Sequence, residues 1–246
     1  MTMHDWIIPD WPAPSWVKAV TTTRTGGVSV GAYASMNLAE HVADAPLAVA
    51  ENRRRLREQL ALPAEPVWLQ QVHGRGIVAA DDARPGAEGD GAVSRMPGQV
   101  CVVMTADCLP VLLCDRAGTR VAAVHAGWRG LAGGVIEAAV AALECPGNSV
   151  LAWLGPAIGP QAFEVGAEVR AAFVAQMPAA AEAFTPQGER WRADLYRLAY
   201  QRLAALGITE VYGGGLCTYE DAARFYSYRR DGATGRMATL IWLESP

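Results

Sequence analysis

Two histidines occupy matching places in the chain. His73 closes the run Leu69-Gln70-Gln71-Val72 and precedes Gly74; His125 closes Val121-Ala122-Ala123-Val124 and precedes Ala126-Gly127-Trp128-Arg129-Gly130. Between them Cys108 sits in Thr105-Ala106-Asp107-Cys108-Leu109-Pro110, at a break between two apolar runs. Strand ends are where a rigid sheet aims side chains into a cleft. Two imidazoles and one thiolate make a ligand set for Zn²⁺, and three protein ligands leave the fourth tetrahedral position open, the pattern of a catalytic site. A metal held there keeps the cysteine as thiolate and lowers the pKa of water to about 7. The spacing alone is a weak signal, because gaps of 35 and 17 residues match no short metal motif. The same residues also read without a metal. Cys108 can be a nucleophile with His125 as its base, or a small buried hydrophobe beside hydrogen-bonded imidazoles.

Three neighbours extend the set. Asp107 either orients a ligand or a reacting proton, or caps the turn. Arg129, in a glycine-flanked segment that opens a helix, either offers a guanidinium fork to an anion such as phosphate or stacks on Trp128. Cys217 follows the run Gly213-Gly214-Gly215 and either lines the same cleft or lies apart from it. Cys101 and Cys114 fall inside apolar runs and Cys145 follows a helix, so these three are packing residues. Arg53, Arg54, Arg55 and Arg57 surround one helix and mostly form a solvated face.

Composition bounds the rest. The chain has 246 residues, 51% of them apolar and 19% charged, with net charge −4. That supports one sizeable core and argues against disorder. There is no global basic field for nucleic acid. The 20 arginines beside the single Lys18 reflect composition, so each must be argued by position. Five cysteines, an odd number without a C-x-x-C pair, argue against a disulfide framework and a zinc ribbon. No secretory leader pattern and no apolar run of about 18 residues is present, so a cytoplasmic protein without a membrane span is expected.

The elements that must position these residues are mostly strands. Val-rich runs between turn signals predict strands over 17–23, 67–72, 76–80, 100–105, 111–114, 120–124, 150–154, 208–212 and 237–243. Helices are predicted over 46–60, with Pro46 in the first turn, over 131–143 and 166–176, and from Asp194 to Leu206 with Gly207 closing it. A Pro/Gly-rich loop covers 84–91. Several strands follow one another without a helix between them, which favours α+β with a mixed or antiparallel sheet over a doubly wound fold. Neither dinucleotide nor P-loop glycine signature is present.

At this point the chain resembles a known family, the YfiH family, also called the laccase-domain or polyphenol oxidase family. The resemblance is carried by Gly26-Gly27-Val28-Ser29, Ser35-Met36-Asn37-Leu38, His41-Val42, Glu51-Asn52-Arg53, Gln71-Val72-His73-Gly74, Ala106-Asp107-Cys108, His125-Ala126-Gly127-Trp128-Arg129-Gly130, Gly155-Pro156-Ala157-Ile158-Gly159-Pro160, Phe163-Glu164-Val165-Gly166, Cys217-Thr218, Phe225 through Asp231 and Gly235-Arg236. It implies a single α+β domain over 1–246, with mixed sheets flanked by helices in an α/β/β/α layering. It places zinc ligands on His73, Cys108 and His125. It implies a purine nucleoside phosphorylase acting on adenosine, guanosine, inosine or methylthioadenosine with phosphate. For that reaction the residues themselves offer Cys108, His125 and Asp107 as candidates at the chemistry and Arg129 as the candidate on phosphate. Adenosine deamination, a role in peptidoglycan precursor editing as a Cys–His hydrolase, and weak copper-dependent polyphenol oxidation are attributed to the same family. Nucleobase deaminases of the usual zinc kind carry H-x-E and P-C-x-x-C, and neither occurs here. Four histidines cannot build a blue copper site plus a polynuclear cluster. Copper is therefore expected only as an in vitro occupant of the same three ligands.

Overall fold

The computed structural model describes residues 5–84 and 86–245. His4, with the other first residues read for a leader, and Pro85 of the loop at 84–91 lie outside them. The chain order is β1 (Val17–Thr21), α1 (Pro46–Leu60), β2 (Ile77–Ala79), β3 (Gly91–Ser94), β4 (Val100–Thr105), β5 (Leu109–Asp115), β6 (Val121–Ala126), α2 (Trp128–Gly133), α3 (Val135–Leu143), β7 (Val150–Leu154), β8 (Glu164–Val165), α4 (Ala167–Val174), β9 (Phe184–Gln187), β10 (Arg190–Ala193), α5 (Leu195–Ala205), β11 (Val211–Gly213), α6 (Tyr228–Asp231) and β12 (Met237–Leu243).

A six-stranded sheet runs β11-β7-β5-β6-β3-β2, and a three-stranded sheet runs β1-β12-β4. Only β2 with β3 and β7 with β11 pair in parallel, so the large sheet is mixed. The two sheets face each other over Cys101, Val103 and Ile241 on one side and Leu112, Cys114, Ala123 and Trp153 on the other. The outer face of the large sheet buries Leu109, Val111, Leu113, Val124 and Leu154 against Leu131, Ile136, Leu143, Phe173, Leu198 and Leu203 of the helices. The outer face of the small sheet buries Val100, Val102, Leu240 and Trp242 against Leu56 of α1 with Met36 and Leu38. The layering is therefore α/β/β/α. Strands β4, β5 and β12 are covered on both faces, which is why they read as unbroken apolar runs rather than alternating ones.

The long apolar runs form the elements the sequence predicts: 100–105, 150–154, 237–243 and the helix 46–60 match residue for residue. Pro110 lies inside β5, one residue before the β5–β7 ladder begins at Val111 and Leu154, so its missing N–H breaks no ladder bond there. Asp194 accepts from Arg197 N at 3.0 Å and caps α5, and Gly207 takes φ +78° beyond it.

Two expectations need correction, and one small sheet was not foreseen. The strand over 67–72 does not form; only single bridges occur, Val67 with Cys101 and Gln70 with Glu88. There the Gln71 side chain replaces a ladder, accepting from Met104 N (2.7 Å) and donating to Met104 O (2.9 Å). The helix over 131–143 is two helices, broken at Gly134 with φ +92°. The small sheet β8-β10-β9 is not evident in the sequence, because its strands are only two to four residues long and mix exposed polar with buried positions.

One buried amide ties the loop before α1 to the rest. Asn52 of α1 is fully buried; its Oδ1 accepts from Val28 N (2.8 Å) and its Nδ2 donates to Ser29 Oγ, Ser35 O and Asn37 O (2.9, 3.1 and 2.8 Å). Truncation leaves those groups buried without partners. Asn52→Ala is expected to cost about 2–4 kcal/mol, measured as a fall in the urea midpoint at unchanged slope.

Candidate metal centre

The link from β4 to β5 crosses from the small sheet to the large one, and Cys108 lies on it. Asp107 makes the crossing sharp: it takes φ +91°, a left-handed backbone that a non-glycine residue adopts only when its surroundings hold it. Its carboxylate is the hold. Oδ1 accepts from Thr218 Oγ1 at 2.7 Å and Oδ2 from Arg229 N at 2.7 Å, while its carbonyl accepts from Ile158 N at 2.9 Å.

His73 reaches the same point from a loop. It too has a left-handed backbone, φ +59°. Asp90, fully buried just before β3, holds that loop: Oδ1 accepts from His73 N (2.9 Å), and Oδ2 accepts from Gly74 N (2.6 Å) and Val72 N (3.3 Å). The same carboxylate meets His125 Nδ1 at 2.8 Å, and the Asp90 carbonyl accepts from His125 N at 2.7 Å. His125 is nearly fully buried near the end of β6. With Nδ1 turned to Asp90, its Nε2 is left for the centre.

The ligand atoms of His73, Cys108 and His125 lie within 4.8 Å of one another. Cys108 Sγ is 3.9 Å from His73 Nε2, and the two imidazole rings meet edge to face with centroids 4.8 Å apart. Gly127 leaves the space they share: a Cβ there would lie 3.0 Å from Cys108 Sγ, 3.1 Å from His73 Cδ2 and 3.5 Å from His125 Cε1. Donor identity, mutual reach and this cradle fit a metal ion with three protein ligands.

The electrostatics agree. Burial pushes the Cys108 thiol up, but His125 and the hydrogen bonds from both imidazoles overcome it and bring it down to about 6. Burial pushes His125 down, and the Cys108 thiolate with the Asp90 carboxylate lifts it to about 9. Burial raises Asp90, yet hydrogen bonds from His125, Gly74 and His73 hold it below the ordinary carboxylate value.

The other sequence candidates divide. Asp107 is close, but both its oxygens brace the Thr218 and Arg229 segments; the carboxylate that orients a ligand is Asp90, which the sequence reading passes over. Its only signal is an acid set between glycines immediately before a strand, Gly89-Asp90-Gly91. Arg129 is exposed on the first turn of α2, its guanidinium 4.4 Å from the Trp128 ring centre. Cys217 stands outside the ligand group and its sulfur accepts from Gly159 N at 3.2 Å, so a fourth protein ligand is missing among the described residues. His41, unremarkable in sequence, lies within electrostatic reach of His73, Arg53 and Arg236; burial and those cations hold its imidazole below the ordinary value. It also borders a cleft of about 910 Å³, lined in part by Arg53, Trp68, Gln71 and Met104. No helix among the described residues is long and apolar enough to cross a membrane.

Comparison with known proteins adds the lineage. Residues 18–244 match the family described as multi-copper polyphenol oxidoreductase laccase. A protein of Pseudomonas aeruginosa named purine nucleoside phosphorylase is 59% identical, over 98% of this chain and 100% of its own. Purine nucleoside phosphorylase YfiH of Escherichia coli is 52% identical over the same shares. A crystal structure of a Neisseria meningitidis protein superposes with a TM-score of 0.95 at 51% identity, covering 98% of this chain and 100% of that one. YlmD of Geobacillus stearothermophilus superposes with a TM-score of 0.83 at 30% identity, covering 94% and 93%.

In the metal-free protein the Cys108 thiolate fraction rises with pH through about 6, well below the ordinary thiol value of about 8.5. Peptide-resolved iodoacetamide labelling is expected to show half-maximal reaction at Cys108 near that pH. Asp90→Asn removes the anion that supports the His125 imidazolium and moves the midpoint upward. Adding Zn²⁺ suppresses the labelling. A midpoint at the ordinary thiol value would remove the thiolate–imidazolium pair.

Proposed function

The chain belongs to the multi-copper polyphenol oxidoreductase laccase family, also known as the YfiH family, and from that membership we propose that it is a zinc-dependent purine nucleoside phosphorylase. The supporting observation is the convergence of His73, Cys108 and His125 around the space Gly127 leaves. Relatives that align with this chain along nearly their whole length carry the phosphorylase name. The substrates are adenosine, guanosine, inosine or methylthioadenosine with inorganic phosphate, and residues 1–246 act as one catalytic domain.

The metal, held by His73 Nε2, Cys108 Sγ and His125 Nε2, supplies Lewis acidity and a positive anchor when bound. The chain supplies the rest. Asp90 fixes the His125 ring through Nδ1 and His73 through its backbone N–H, so the ligands are set before substrate arrives. The cleft beside His41 and Gln71 receives the nucleoside; its size suits a small-molecule site. Arg129, exposed on the first turn of α2, draws in phosphate. Asp107 acts as a positioning residue that fixes the Cys108 turn. That assignment also bears on adenosine deamination, a side activity of the same centre: with both Asp107 oxygens engaged, deamination lacks a free acid and is the slower reaction. Copper at the same ligands gives at most weak phenol oxidation.

A second reading has its own observation. Without metal, Cys108, His125 and Asp90 form a nucleophile–base–orienter row, the arrangement of a cysteine hydrolase acting on an amide such as a peptidoglycan precursor. Chelation separates the two: a hydrolase survives it and fails on thiol alkylation, whereas the phosphorylase fails on both.

Mass spectrometry of products from each nucleoside, with and without phosphate and paired with metal content, tests the proposal. Sugar 1-phosphate is expected only with phosphate. Cys108→Ala is expected to lose the metal and at least about a hundredfold in activity; full phosphorolysis by that variant would take the metal out of the reaction. Arg129→Ala is expected to raise the phosphate KM more than the nucleoside KM.

A further inference from the structure

Several half-buried or buried arginines are neutralised by a carboxylate: Arg53 by Glu40 at 2.9 Å, Arg202 by Glu137 at 2.5 Å and Arg230 by Asp231 at 2.7 Å. Arg236 is half-buried and makes no ion pair among the described residues. Its place is set by strand register. Met237 pairs with Thr105 across β12 and β4, so the residue before it lies alongside Ala106, where the chain turns through Asp107 to Cys108. The Arg236 backbone N–H donates to Asn37 Oδ1 at 3.0 Å, and Asn37 is fully buried and held by Asn52. The preceding Gly235 is packed so closely that a Cβ would lie 2.7 Å from the Tyr226 ring and 2.9 Å from Asn37 Cβ.

The guanidinium is held at one edge and open at the other. Nη1 donates to the carbonyls of Thr234 (2.8 Å) and Gly235 (3.0 Å), while Nε and Nη2 meet no protein acceptor among the described residues. The Tyr228 ring centre stands 6.0 Å from Cζ. The charged groups within reach of this cation are the Cys108 sulfur, one of the three candidate metal ligands, and the Asp107 carboxylate, already bonded to Thr218 and Arg229. Burial lowers the Arg236 pKa while those two groups raise it. His41 lies within reach of both Arg236 and His73. A desolvated guanidinium with a free edge, beside a divalent metal bearing one thiolate, makes this side of the centre strongly attractive to a small dianion.

We propose that Arg236, within electrostatic reach of His41, forms the inner phosphate subsite of this enzyme, the free guanidinium edge holding two phosphate oxygens and presenting a third to the sugar. The inference rests on the phosphorylase reading for its chemistry. Hydrogen phosphate supplies the attacking oxygen. A new C1′–O bond forms as the C1′–N9 bond breaks, the bonding pair leaves with the purine, the proton of hydrogen phosphate ends on a purine nitrogen, and the sugar 1-phosphate departs as a dianion. Arg129 then serves phosphate capture and Arg236 the bound state.

The test uses the zinc-loaded full chain and the variants Arg236→Gln, Arg236→Lys and His41→Asn, with zinc content and thermal midpoint measured for each. Loss of charge-assisted bonds predicts a phosphate KM raised about 10- to 100-fold in Arg236→Gln, with the nucleoside KM changed less than about threefold. Arg236→Lys is expected to recover part of the loss, because it restores charge without the fork. His41→Asn, at an exposed position that does not threaten folding, is expected to raise the phosphate KM about three- to tenfold. Calorimetric titration with inorganic phosphate, without nucleoside, is expected to show the same order of affinities. A well-folded, zinc-replete Arg236→Gln protein that keeps both phosphate KM and phosphate affinity within twofold of wild type overturns the subsite; so does a wild-type chain that binds no phosphate. If nucleosides are not phosphorolysed at all, the phosphorylase reading fails, and calorimetry alone decides the subsite: affinity lost in Arg236→Gln upholds it, affinity retained overturns it. Should Arg236→Gln not fold, Arg236→Lys and His41→Asn decide on the same readouts.

Discussion

The Asp90 carboxylate is the constraint on which the site depends. A carboxylate with no exposed surface is costly unless its lone pairs are filled, and here three backbone N–H groups and one imidazole nitrogen fill them. The bonds run both ways. The loop 72–74 can hold its left-handed turn at His73 only while Asp90 accepts its amides, and His125 can present Nε2 only while Asp90 occupies Nδ1. One buried anion therefore orients two of the three candidate ligands, and it does so from the residue just before β3, whose partner strand β6 carries His125. The ligand geometry is thus built into the large sheet.

The third ligand comes from a different part of the architecture. β4 belongs to the small sheet and β5 to the large one, so the short segment between them must cross the layer boundary within three residues. Such a crossing needs an unusual backbone, and Asp107 supplies it with a carboxylate tied to the chain's last third through Thr218 and Arg229. Arg236 arrives at the same boundary from β12, the small sheet's central strand. The centre therefore sits where the two sheets exchange chain. Residues from position 73 to position 236 thus gather near one boundary, most of them within a few residues of a strand.

This arrangement explains what the sequence could and could not disclose. Strands buried on both faces, such as β4, β7 and β12, announce themselves as apolar runs, and a helix with proline in its first turn has its start marked by covalent geometry. The three candidate ligands stood out by residue type and were singled out by the family resemblance, and the fold brings them within reach of one another, although His73 does so from a loop rather than a strand end. Asp90 was not, because nothing in Gly89-Asp90-Gly91 distinguishes a buried organiser from a turn residue until its four donors are in place. His41 and Arg236 appeared only inside the family motifs, with no role attached, for a related reason. Each lies more than thirty residues from the nearest ligand, and only the pairing of β12 with β4 and the docking of the loop before α1 bring them close. The false strand at 67–72 has a physical lesson as well: Gln71 satisfies the Met104 backbone with a side-chain amide, so an apolar run beside a strand can be bonded to it without joining the ladder.

The family's descriptive name sets a last problem, because a multi-copper oxidase moves electrons through several metal centres and each centre must have donors. Imidazoles are the limiting resource for copper clusters, and this chain has four histidines. His73 and His125 lie with Cys108 in the group that could hold a metal. His41 shares its neighbourhood with Arg53 and Arg236, cations that oppose a second metal ion nearby. No other group of three or more histidines, cysteines or carboxylates suited to a metal occurs among the described residues. The fold thus supports a single mononuclear centre, flanked by cationic side chains that suit an anionic substrate. A metal used for charge and position, with an anion drawn to its side, is the pattern of group transfer; a relay of electrons would need donors that this sequence does not contain.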